Sequence, residues 1–204
     1  MRYSGVMNPL YDLLPQDALT QRLQPPFPLI VLVAPFAASR TMLAFAARLA
    51  LYTPLRVLDG GNRFNAREVA RLLRHLNAPD LYQAMGGIQV RRAFTCYQMT
   101  ALLEDTPPSS HPSLVIDLLD TFYDESAPLP ERRSLIERCM QQLHYLSSLA
   151  PTVASVRPPQ PSNADPTGLL EIVQNAGDLL WLPEEEAAVK GSKRQPSEPP
   201  LKLF

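Results

Sequence analysis

Eight residues stand where a strand–turn–helix phosphate cradle would carry its loop: Ala34-Pro35-Phe36-Ala37-Ala38-Ser39-Arg40-Thr41. A loop of the form G-x-x-x-x-G-K-[ST] uses glycines to let backbone N–H groups converge on phosphate. Its lysine neutralises the phosphate, and its hydroxyl holds Mg²⁺. Here alanine and serine replace the glycines, at Ala34 and Ser39, and Arg40 replaces the lysine. Thr41 alone keeps its type. Left-handed backbone is costly for alanine and uncommon for serine, so an anion nest forms less readily and nucleotide affinity is expected to be weak. The partner of such a loop is an acidic residue ending a buried strand, and Leu114-Val115-Ile116-Asp117 supplies one. The vestigial nucleotide positions are therefore Ala34, Ser39, Arg40, Thr41 and Asp117. Thr41 and Asp117 would hold Mg²⁺ only if nucleotide binds.

The arginines offer a second chemistry. From Arg40 to Arg92 there are nine, against Asp59, Glu68 and Asp80, a local balance of +6. On a helix opened by Asn65, Arg67, Arg71 and Arg74 fall on the face opposite Val69, Leu72, Leu73 and Leu76. Arg63, Arg91 and Arg92 lie near that stripe in sequence. All six arginines are candidates for contact with nucleic-acid phosphates, against the plainer reading of a solvated face. Residues 104–137 carry the opposite balance, eight acids against Arg132 and Arg133. The surface is expected to be dipolar.

Several chemistries are disfavoured. His75, His111 and His144 are scattered, and neither Cys96 nor Cys139 has a ligand-spaced partner, so no zinc site is expected. Asp117, Asp120 and Asp124 read as strand-end and loop residues rather than a metal cluster. Both cysteines sit among apolar neighbours and read as core. No nucleophile elbow occurs, so no catalytic residue is assigned.

These residues need a framework. The chain has 204 residues and a net charge of −1, which disfavours a nucleic-acid coat but fits one domain with tails. Its 22 prolines are about twice the usual share. The longest apolar run, 29–38, falls well short of the roughly twenty residues a transmembrane helix needs. No secretory signal is read at the start, so an intracellular location is expected, in cytoplasm, nucleoid or nucleus, without a membrane partner.

Runs at 29–33, 55–58, 88–90, 114–117, 152–156 and 178–182 read as strands. Helices are expected at 17–23, 41–51, 65–76 (with an Asn65/Glu68 capping box), 95–103 and 131–149, and a short one before the last strand. Strands alternating with helices predict an α/β fold, a mostly parallel sheet flanked by helices. The organisation is a lead-in (1–27), a core (28–183), and a tail (184–204) too polar to fold.

In sequence order, these motifs resemble RecA/RadA-type recombinases and their paralogues over about residues 28–157. Val57-Leu58-Asp59-Gly60-Gly61-Asn62-Arg63-Phe64 is similar to the segment after their second strand. Arg92-Ala93-Phe94 and Leu114-Val115-Ile116-Asp117 are similar to their arginine–alanine–phenylalanine stretch and Walker B strand. The resemblance implies a RecA-like P-loop NTPase fold with a degenerate Walker A. It also exposes departures. The family's water-activating glutamate falls at Gly61, its polar sensor falls near Arg157-Pro158, and the Phe-x-x-Ala filament motif is missing.

The resemblance therefore implies a non-catalytic accessory protein of DNA recombination or repair, binding DNA and a partner of recombinase or repair type. Two alternatives stand beside it: an ATPase with a degenerate P-loop, taking ATP and Mg²⁺, and a pure protein-interaction scaffold.

Overall fold

A computed structural model describes residues 26–34, 37–123, 127–158 and 167–181, with the side chains of 37–39 left aside. The expected helix at 17–23, Asp124 and the tail lie outside the described residues.

Six strands form one sheet: β1 (Leu29–Val33), β2 (Leu55–Asp59), β3 (Ile88–Arg92), β4 (Ser113–Ile116), β5 (Thr152–Val156) and β6 (Leu179–Trp181). Their order is β3-β2-β4-β5-β1-β6, and every pairing is parallel. Among the described residues six α-helices connect them: α1 (Ala37–Ala50), α2 (Ala66–His75), α3 (Leu81–Gly86), α4 (Cys96–Glu104), α5 (Leu129–Leu149) and α6 (Leu169–Ala176). The molecule is thus an α/β fold with an all-parallel sheet covered by helices on both faces.

The apolar run of β1 explains itself in this setting. All five of its residues are buried because the strand is covered on both sides. Leu29, Val31 and Val33 join the core under α4, α5 and α6, while Ile30 and Leu32 join the core under α1, α2 and α3. Phe45 of α1, fully buried, stacks on Trp181 of β6 with ring centroids 5.6 Å apart. Cys96 and Cys139 are buried free thiols, as core residues should be, and Cys139 Sγ lies 3.4 Å from Thr100 Oγ1. Burial pushes the Cys139 thiol up to about 12, far from the thiolate that reacts. Among the described residues no helix is long and apolar enough to cross a membrane.

Several elements differ from the sequence reading. The turn after α2 contains Asn77 at φ +53°, and the chain then forms α3, which was not anticipated. Asp80 caps it, accepting from Gln83 N–H at 2.9 Å. The long helix α5 starts at Leu129, two residues early, because proline is well tolerated in a first helical turn. Leu76 ends α2 at its cap and stays exposed rather than joining the apolar face. The capping box is half formed. Asn65 Oδ1 accepts from the N–H groups of Arg67 and Glu68, but the Glu68 carboxylate turns to Arg71 instead of back to the cap.

Candidate functional site

Connections leave β2 and β4, which are neighbours, in opposite directions. From β2 the chain runs outward to β3 through α2 and α3 on one face. From β4 it runs inward to β5 through α5 on the other. Such a reversal opens a crevice beyond the carboxyl ends of the two strands, the place where open α/β sheets take ligands.

Backbone bonds stitch the floor of this crevice across five strands. Ala93 N–H donates to Asp59 O at 3.1 Å, and Gly60 N–H to Ile116 O at 2.9 Å. Leu118 N–H donates to Ser155 O at 2.9 Å, and Ala34 N–H to Val156 O at 3.2 Å. The ends of β3, β2, β4, β5 and β1 are therefore fixed in one row. The turn after β4, a 3-10 segment at Asp120–Phe122, is pinned from α5 by buried Arg132, whose guanidinium donates to Phe122 O at 3.0 Å.

Two buried aspartates face the crevice and are handled differently. Asp59 closes its own turn: its carboxylate oxygens accept from the N–H groups of Arg63 and Phe64, each at 2.9 Å. Arg92 Nε donates to it at 3.3 Å, and the same guanidinium donates to Phe64 O. Asp117 has the left-handed backbone at φ +52°, a conformation Asp tolerates better than most residues. Its N–H donates to Ser155 Oγ at 2.9 Å. Its carboxylate is wholly buried, and neither oxygen has a hydrogen-bond partner among the described residues.

What it has instead is charge. Arg157 Nε lies 3.3 Å from Asp117 Oδ2 and Arg63 Nε lies 3.6 Å from it. Arg157 also grips Asp120 through its terminal nitrogen. Burial still dominates. It pushes the Asp117 carboxyl up from 3.8 to about 6, with Arg157 opposing, Asp120 adding, Arg63 opposing and Asp59 adding.

Glycine at 61 is a steric requirement of this arrangement. A Cβ there would lie 2.7 Å from both Cβ and Oδ2 of Asp117. The position where the resemblance expects a water-activating glutamate is thus the one that Asp117 crowds.

The sequence-selected residues divide into groups. Asp117, Arg63 and Arg92 meet in the crevice. Ala34 directly follows β1 in the same row, buried. Ser39, Arg40 and Thr41 lie in the first part of α1; Arg40 is exposed, Thr41 is half-buried, and the Ser39 side chain is outside the description. Arg67, Arg71 and Arg74 share the exposed face of α2 as expected, but Arg71 is engaged by Glu68, with Nε 2.9 Å from Oε2. That hydrogen bond chiefly holds the Glu68 carboxyl below its usual range, and Arg40 adds to the effect from α1. Among the described residues Arg67 and Arg74 make no salt bridge. Arg91 is exposed on the edge strand β3, next to Arg92.

Three charged residues of the crevice were not among the selected positions: Asp59, Asp120 and Arg157. The signal for Asp59 was its place just before Gly60-Gly61 at a strand end. For Arg157 it was the matching place after β5, two residues past Ser155. No protein-family model matches the chain, and no curated protein sequence matches it.

Proposed function

We propose that the chain is a RecA-like accessory protein of DNA recombination or repair, one that binds DNA and a protein partner without turning over ATP. The observation that carries the reading is the crevice. A buried aspartate follows β4 beside the Asp59-Gly60-Gly61 turn, where an α/β sheet takes its ligand, and the place of the water-activating carboxylate is filled by glycine. Hydrolysis needs a group that takes the proton of the attacking water. The two buried carboxylates, Asp59 and Asp117, lie against guanidinium groups, and the third, exposed Asp120, is held by Arg157.

DNA contact is assigned to the exposed arginines. Arg67 and Arg74 on α2 and Arg91 on β3 belong to the stretch with six surplus positive charges. Phosphate contact releases condensed counterions, so affinity falls with salt and depends little on base sequence. The test is a salt titration of DNA binding by the parent and by the Arg67→Ala/Arg71→Ala/Arg74→Ala variant. Each lost phosphate contact lowers the log–log slope by about 0.7–0.9. Arg67 and Arg74 carry most of the loss, because Arg71 is already paired. An unchanged slope in a variant with unchanged melting, or no binding by the parent at low salt, refutes the assignment and leaves the scaffold reading.

Nucleotide binding is the second reading, favoured by one observation: α1 opens directly after buried β1 at the carboxyl end of the sheet. A rise of several degrees in melting temperature with ATP, lost in Arg40→Ala, would establish it.

A further inference from the structure

The RecA resemblance implies a Mg²⁺ ion held between Thr41 and Asp117, and the residues of the crevice do not fit one. Mg²⁺ demands octahedral oxygen ligation at about 2.0–2.1 Å and keeps several of its waters. Oδ2 of Asp117 is instead shared by two guanidinium groups, Arg157 at 3.3 Å and Arg63 at 3.6 Å. Guanidinium is always protonated in proteins, so a dication at Oδ2 would meet two fixed positive charges. The neighbouring acids offer no relief. Asp120 is held by Arg157, and Asp59 is committed to two backbone N–H groups and Arg92. Three aspartates thus face three arginines, and the formal charges cancel. Among the described residues no group of three or more His, Cys, Asp or Glu side chains is arranged to hold a metal.

Topology gives Arg157 its position. β5 lies between β1, which leads to Thr41, and β4, which Asp117 directly follows. Arg157 directly follows Val156, whose carbonyl accepts from Ala34 at the end of β1. Its guanidinium therefore reaches Asp117 from between the two strands that a metal ion would have to bridge.

We propose that Arg157, assisted by Arg63, is the resident cation of this crevice and takes the place of a divalent metal. The chain carries its own counter-charge to Asp117, where a metal-dependent site would need a dication. This inference stands whether or not the protein binds DNA.

Mn²⁺ alone, followed by the electron paramagnetic resonance signal of the free ion, tests it on the full-length chain. The parent protein leaves the signal of millimolar Mn²⁺ undiminished. Arg63→Gln/Arg157→Gln, which leaves Asp117 and Asp120 without their guanidinium partners, depletes it, and adding Asp117→Asn restores it. Arg157→Lys keeps the positive charge and leaves the signal undiminished. The proposal is overturned if the parent takes up Mn²⁺ and Asp117→Asn abolishes the uptake. A folded double variant, with parental circular dichroism and no uptake, overturns it equally. Because the parent and Asp117→Asn measurements need neither arginine variant, a double variant that fails to fold leaves the decisive comparison intact.

Discussion

Replacing Asp117 with asparagine removes a charge while keeping the size of the side chain and a residue type that accepts φ near +52°. The carboxyl is raised from 3.8 to about 6 because burial outweighs the two guanidinium groups beside it. At 1.36 kcal/mol per unit, ionising it inside the fold costs about 3 kcal/mol. The sign follows from proton counting. Between 3.8 and about 6 the native state retains a proton that the unfolded chain has released, so stability falls as pH rises through that window. Above it the cost is fully in place; below it both states are protonated and the cost is gone. Asparagine avoids the cost, while Arg157 and Arg63 lose a partner and regain water at their exposed edges. The net expectation is a gain of about 1–3 kcal/mol at neutral pH, shrinking toward zero by about pH 4. For a chain of this length that is a rise of roughly 2–4 °C in melting temperature per kcal/mol. Urea unfolding followed by far-ultraviolet circular dichroism at several pH values measures it. A gain that does not vary with pH, or a loss of similar size at neutral pH, refutes the reasoning.

Gly61→Ala drives a Cβ to 2.7 Å from the Asp117 side chain and is expected to cost about 1–3 kcal/mol in urea unfolding. For the same reason Gly61→Glu will not bring ATP turnover in a steady-state phosphate-release assay. Phe45→Ala removes a fully buried ring that stacks on Trp181, and should cost about 3–5 kcal/mol. Trp181 is the only tryptophan, so its fluorescence will report the lost stack as a shifted emission maximum in the folded state.

The parts of the fold that were legible in the sequence are those written in local chemistry. Leu29-Ile30-Val31-Leu32-Val33 could only be a strand buried on both faces, and Asn65 could be named as a cap because its side chain acts two and three residues away. Helix α3 was hidden because six residues carry too little periodicity, although Asn77-Ala78-Pro79-Asp80 contained its stop and start signals. Asp117 was visible as a strand-end acid. Its clasp was not. Arg157 reaches it from just past β5, 40 residues further along the chain, and only the order β2-β4-β5 makes those ends neighbours. Strand order is a long-range property that no local spacing encodes. The same limit applied to the arginines, where spacing alone did not separate Arg63 and Arg92, paired with buried acids, from exposed Arg67 and Arg74.

The strand order also dictates a schedule. β1 pairs only with β5 and β6, so Leu29 waits about 120 residues of synthesis for Thr152, and Ile30 waits longer still for Leu179. The β2–β3 pair closes over about 30 residues and β2–β4 over about 60, so assembly can begin in the middle of the chain. Throughout that interval the most apolar strand of the protein is made but has no partner, a segment of the kind that pairs with other chains when left exposed. Nascent chains halted before residue 152 should therefore be the aggregation-prone species, and a chain ending before β6 would leave β1 as a raw edge. The protection of β1 rests on strands made more than 120 residues after it.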